Sequence, residues 1–182
     1  LTRKQSNPVS SNKANLQKEL LARYMILAGF ITYIVMIETS LTAKKVRLIR
    51  NSLIEEGFPE ERRSRAARSS KTLLKNRKAK ISASIAMALY YRFGKEKVLE
   101  TIDIQALTRA YSMYVSITKD APFDKNMDFH DPVFDNSDIC SFAHELRIGE
   151  AVIFNCKTCN CDYYSAYEEP TLIDCPFCDS SI

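Results

Sequence analysis

The sequence predicts a mainly α-helical fold, a helical body followed by a small cysteine-rich module, and three observations predict it. Turn-forming residues are scarce, with 4 Gly and 6 Pro in 182 residues, which disfavours an all-β architecture. Apolar side chains recur at intervals of three and four over much of the chain before residue 118, the period of a buried helix face. The 6 cysteines all fall between Cys140 and Cys178, four of them in two CxxC pairs. Hydrophobic residues make up 46% and charged residues 26%, ordinary globular usage that excludes wholesale disorder and fibrous repeats.

Residues 1–15, rich in Ser, Asn and Lys, bury little apolar surface and are expected to form a flexible arm. A helical domain is expected over 16–118, an acidic linker over 119–137, and a helix with a cysteine module over 138–182. The first helix is expected to open at Ser11 or Asn15 and to run to about Glu38, carried by Leu20, Leu21, Tyr24, Met25, Leu27, Ala28 and Ile31. Its uncharged run from Tyr24 to Ile37 has 14 residues, too short to span a bilayer and suited to a core helix or a subunit interface. A second helix follows, with Thr42 as its cap and Val46, Ile49 and Leu53 as its inward stripe. Gly57 and Pro59 should end it. Lys44, Lys45, Arg47 and Arg50 fall largely on its other side. A helix, a short turn and a basic helix give the outline of a helix-turn-helix.

Charge is unevenly distributed. Residues 44–80 hold 13 Lys and Arg against 4 Asp and Glu, whereas 100–182 hold 5 basic and 15 acidic residues. The segment 62–80 contains no acid at all. With Leu73 and Leu74 its only large apolar residues, it is expected to be an exposed loop or a helix ordered on binding. One-signed density repels itself unless phosphates neutralise it, so nucleic-acid contact is expected here. Base-reading candidates are Lys44, Lys45, Arg47 and Arg50. Phosphate-positioning candidates are Arg62, Arg63, Arg65, Arg68, Lys71, Lys75, Arg77 and Lys78.

Further helices are expected over Ile81–Phe93 and Val98–Ile117, the second with a core face of Leu99, Ile102, Ala106, Leu107, Ala110, Tyr111, Tyr114 and Val115. Asp138 is expected to cap a short helix to Gly149, packed through Ile139, Phe142, Leu146 and Ile148. Short strands are expected at Ala151–Asn155 and Asp162–Tyr167.

Cys156 and Cys159 form one CxxC pair and Cys175 and Cys178 the other, with 15 residues between them. Two such turns can aim four thiolates at one point, the spacing of a structural zinc site with one Zn2+ per chain. An iron–sulfur cluster fits the same spacing; redox CxxC chemistry lacks its usual strand-to-helix setting. Cys161 is placed to substitute for Cys159, and Cys140 is expected to be a small buried residue. His130 and His144 are assigned no chemistry. No phosphate-binding Gly-rich loop, HExxH or GxSxG motif occurs, so no enzymatic activity and no small-molecule substrate are expected; the alternatives to a DNA-binding activator are a nucleic-acid-processing protein with structural zinc and a zinc-ribbon protein-interaction adaptor. Clustered CxxC pairs without an export signal lead to the expectation of a reducing, cytoplasmic setting and no membrane association.

The segments ETSLTAKKVRLIRNSLIEEG and IDIQALTRAYSMY, followed by CKTC and CPFC, resemble the C subunit of the bacterial flagellar master transcriptional activator, the FlhC family, over most of residues 16–180. The resemblance implies a largely helical protein with zinc on Cys156, Cys159, Cys175 and Cys178, and a basic DNA-binding helix bearing Lys44, Lys45, Arg47 and Arg50. It also implies promoter DNA as target, an FlhD-like helical subunit as hetero-oligomeric partner, and recruitment of RNA polymerase. The chain departs from the family by lacking Trp in the helix before the cysteines, by its acidic 119–137 segment and by its more basic 60–80. These departures resemble the FlhC-like activators of conjugative plasmids and integrative elements, which switch on transfer genes rather than flagellar genes.

Overall fold

The computed structural model describes residues 8–59, 65–120, 133–169 and 175–178. Helices dominate: α1 (Pro8–Leu27), α2 (Thr32–Thr39), α3 (Ala43–Glu55), α4 (Ser70–Leu73), α5 (Arg77–Gly94), α6 (Ile104–Asp120) and α7 (Asn136–Arg147). A 3₁₀ turn at Lys95–Leu99 and the antiparallel strands β1 (Ala151–Asn155) and β2 (Asp162–Ala166) complete the described elements. No helix among the described residues is long and apolar enough to cross a membrane.

The chain divides into two compact units, residues 1–66 and 67–182. In this division α5 and α6 group with α7 and the cysteine hairpin.

In the first unit α1, α2 and α3 each pack on the other two. The single helix expected up to Glu38 is broken after Leu27. Gly29 sits at φ 82°, its N–H donates to Ile26 O at 3.0 Å, and the Phe30 N–H donates to Met25 O at 3.0 Å. This is a Schellman closure: a left-handed residue, costless for glycine, lets two orphan carbonyls find donors. Phe30 and Met25, joined by that bond, are both fully buried. Helix α1 also starts at Pro8, so residues 8–15 of the expected arm are helical. Three residues, Ser40–Thr42, connect α2 to α3. Thr42 Oγ1 accepts from the Lys45 N–H, and Val46, Ile49 and Leu53 are buried, as the sequence led us to expect. Gly57 closes α3 with the same pair of bonds that ends α1.

The second unit is centred on α5, which packs against α6, α7 and both strands. Its buried small residues, Ala79, Ser82, Ala83, Ser84 and Ala86, permit close approach of those neighbours. The helix expected from Val98 to Ile117 is split. Gly94 is where the chain turns, since a Cβ there would collide with buried Val98. Asp103 then starts α6 afresh by accepting from the Ala106 N–H at 2.9 Å. Asp135, not Asp138, caps α7, accepting from the Ser137 and Asp138 N–H groups at 2.8 and 3.0 Å. Asp138 completes the capping box and is fully buried. Phe142 joins the layers, its ring 5.1 Å from Phe134 and 5.2 Å from Tyr164. Ile148, expected in that core, is 59% exposed.

Candidate metal centre and basic faces

β1 and β2 pair from Ala151 opposite Ala166 to Asn155 opposite Asp162. The ladder continues beyond them, with Cys156 N–H donating to Cys161 O at 2.9 Å, so residues 156–161 form the closed tip of a hairpin. Asn160 turns the tip at φ 57°, a left-handed conformation Asn tolerates, and its N–H donates to Cys156 O at 2.8 Å. Asn155 Nδ2 braces the base by donating to Asp162 Oδ1 at 2.8 Å. This tip carries Cys156 and Cys159.

Cys175–Cys178 forms a second turn, and Arg77 holds its backbone. Arg77 Nε donates to Pro176 O at 2.8 Å and Nη2 to Cys178 O at 3.0 Å. The two turns bring Cys156 Sγ to 3.6 Å from Cys178 Sγ and Cys159 Sγ to 3.6 Å from Cys175 Sγ, with all four sulfurs within 4.8 Å of one another. A regular tetrahedron of metal–sulfur bonds about 2.3 Å long has edges of about 3.8 Å. The four cysteines therefore fit a metal ion at their centre. Cys161 is exposed, lies outside this quartet and points its thiol at Cys159 O, so it does not take the place of Cys159. Cys140 is buried in α7 as expected.

Electrostatics agree with a cation-accepting set. Backbone N–H groups of Cys159 and Thr158 hold the Cys156 thiol down to about 6. Hydrogen bonding with Cys156 and Cys159 pushes Cys178 up to about 12, and burial raises Cys175. One thiolate forms readily here; each further negative charge is resisted by the first unless a cation enters.

The basic residues divide into two groups. On α3, Lys44 and Arg47 are exposed, on the side away from Val46, Ile49 and Leu53. Lys45 pairs with Glu19 at 2.8 Å. Arg50 lines an apolar cleft of about 290 Å³ with Ile26, Leu53 and Phe58, so it does not share the exposed face.

In the later stretch several side chains are buried or already paired, although Arg68 and Lys71 stay exposed while paired. Arg68 forms a two-pronged pair with buried Asp138. Lys71 reaches Glu168 at 3.4 Å, and Lys80, fully buried, meets Glu169 at 2.7 Å. Ser70 is tied to Glu145 through both its N–H and its hydroxyl, and Tyr164 OH donates to the same carboxylate at 2.8 Å. Leu73 and Leu74 are buried. Arg77 serves the second cysteine turn. Lys75 is exposed, Lys78 and Arg65 are half-buried, and Arg65 Nη1 donates to Ala66 O at 3.2 Å. Arg62 and Arg63 lie outside the described residues, as does His130. His144 Nδ1 lies 3.1 Å from Arg147 Nη2.

Arg77 is the residue whose role sequence reasoning missed. Its partner carbonyls lie 99 and 101 residues away, and nothing local distinguishes it from its basic neighbours. No protein-family model matches the chain, and no curated protein matches it in sequence.

Proposed function

We propose that this chain is a subunit of a DNA-binding transcriptional activator, in which α3 enters the major groove and a structural Zn2+ holds the C-terminal hairpin. The observation that carries this reading is the succession of α2, a three-residue turn and Thr42-capped α3, with Lys44 and Arg47 exposed opposite a buried stripe. In this reading Lys44 and Arg47 reach base edges or the adjoining phosphates, while Lys45 and Arg50 position the helix. Lys75 and Lys78 remain as phosphate contacts, with Arg62, Arg63 and Arg65 as further candidates. Arg68 and Arg77 are reassigned to internal support, and Lys71 to a surface pair with Glu168.

Helix α1 presents Leu16, Leu20, Tyr24 and Leu27 outward, between 42% and 59% exposed at helical spacing, and α2 adds Tyr33 and Ile37. This stripe supports the hetero-oligomeric part of the reading, with an FlhD-like helical subunit covering it. RNA polymerase recruitment and conjugative-transfer promoters, with flagellar promoters next, complete the assignment on the strength of the family resemblance.

Zn2+ would be held by Cys156, Cys159, Cys175 and Cys178. When bound it supplies a closed four-thiolate shell with no position for a reacting water, and so locks the hairpin to the second turn rather than catalysing. Metal analysis should give about one Zn per chain, and Cys175→Ala should lose it while Cys140→Ala keeps it; full metal content in the first variant overturns the zinc assignment. DNA binding is tested with promoter and scrambled duplexes across salt. Log affinity should fall linearly with log salt for both, with the promoter bound more tightly throughout. Absence of duplex binding by the chain assembled with its partner overturns the reading.

A further inference from the structure

The hydrogen-bond phase of the hairpin leaves one strand edge facing outward. Bonds from Tyr167 N–H to Glu150 O and from Cys156 N–H to Cys161 O flank the ladder. Antiparallel strands alternate bonded and non-bonded pairs, so Val152 and Phe154 exchange bonds with β2, and Ala151, Ile153 and Asn155 aim their N–H and C=O groups away from it. The sheet has two strands only, and among the described residues no partner is found for the outward backbone groups of Ile153.

Beside this edge lies a groove of about 470 Å³, walled by Tyr91, Leu99, Leu146 and Ile153, with Asn155 and Asp162 toward the cysteine end. Tyr91 and Leu99 are 38% and 44% exposed, an apolar wall open to solvent. Asp162 is the one charged residue in the lining.

We infer that β1 and this groove form a docking site for an extended peptide segment of another protein, added as a third strand antiparallel to β1. The edge supplies a donor and an acceptor at every second residue, which only an extended backbone can pair with, and the wall accepts apolar side chains at alternate positions. An antiparallel strand brings its N-terminal end beside Asn155 and Asp162, where a Lys or Arg meets the carboxylate. The partner is therefore an alternating apolar segment with a basic residue at its leading end. This inference does not depend on the chain binding DNA.

The test uses the full metal-loaded chain and the acetylated, amidated peptide Lys-Val-Ser-Ile-Ser-Val. Amide signals of Ile153 and Asn155 should shift and their hydrogen exchange should slow. The same peptide N-methylated at its central Ile should bind at least tenfold more weakly. Ile153→Pro removes an outward donor together with part of the groove wall and takes no bond from the β2 ladder, and Leu99→Arg places a cation on an exposed wall; each should weaken binding at least tenfold with metal content unchanged. Four results overturn the inference: no shift at β1, shifts confined to the α1 stripe, peptide affinity in both variants equal to that of the wild-type chain, or self-association of the chain through the β1 edge in place of peptide binding.

Discussion

On α3, Lys44 and Arg47 stand on an exposed face while the apolar stripe of the same helix turns inward. Between Arg65 and Lys80 the same kinds of side chain mostly turn back onto their own unit, where Asp138, Glu168 and Glu169 meet Arg68, Lys71 and Lys80. Both stretches are strongly basic, but α3 ends on Glu55 whereas 62–80 contains no acid at all. The difference teaches that a run of like charge need not await phosphate: carboxylates 70 to 97 residues away can neutralise it. It also explains the acidic excess of the C-terminal half, part of which balances this stretch.

Substitutions sharpen the contrast, the largest effect first. Lys80→Met strands buried Glu169 and should cost about 3–5 kcal/mol in chemical denaturation, most of it recovered when Glu169→Leu is added. A marginal cost for the single variant would mean that the pair is open to water. Arg77→Ala leaves the four sulfurs but frees the backbone of the second cysteine turn. Competition with a chelator should then show metal affinity about 10–100-fold lower, the usual effect of losing such outer support. Affinity in wild type should also fall from pH 8 to pH 6, because protons compete for thiols that the first thiolate already disfavours ionising. Arg68→Ala should cost less than Lys80→Met, about 1–3 kcal/mol, since Asp138 still accepts from the Asp135 N–H at 3.2 Å. Lys44→Ala and Arg47→Ala should leave stability within about 0.5 kcal/mol, as expected for exposed side chains away from special geometry.

What could be read from sequence was local. The Thr42 cap, the Val46, Ile49 and Leu53 stripe, the hairpin strands and the cysteine quartet each depend on spacings of a few residues or on a motif that encodes its own geometry. Breaks were harder. Gly29 inside an apolar helical run reads as a tolerated glycine, and only its Schellman bonds reveal a stop. Asp138 sits three residues inside the true cap, Asp135, as the second half of a capping box, and its pairing with Arg68 lies 70 residues away. The role of Arg77 is hidden for the same reason: its partner carbonyls lie far along the chain, where no periodicity reports them.

In the proposed reading α3, and not the basic stretch between Arg65 and Lys80, provides the main DNA contact. Promoter and scrambled duplexes should be titrated across salt with the chain assembled with its proposed partner, carrying Lys44→Ala and Arg47→Ala, and in parallel carrying Lys71→Ala. The α3 pair should lose roughly 1–3 kcal/mol of promoter affinity for each base contact removed, or shallow the salt slope by about one for each phosphate contact removed. Lys71→Ala should leave both affinity and slope unchanged. Unaltered promoter binding by the α3 pair, or a larger loss from Lys71→Ala, would contradict the account.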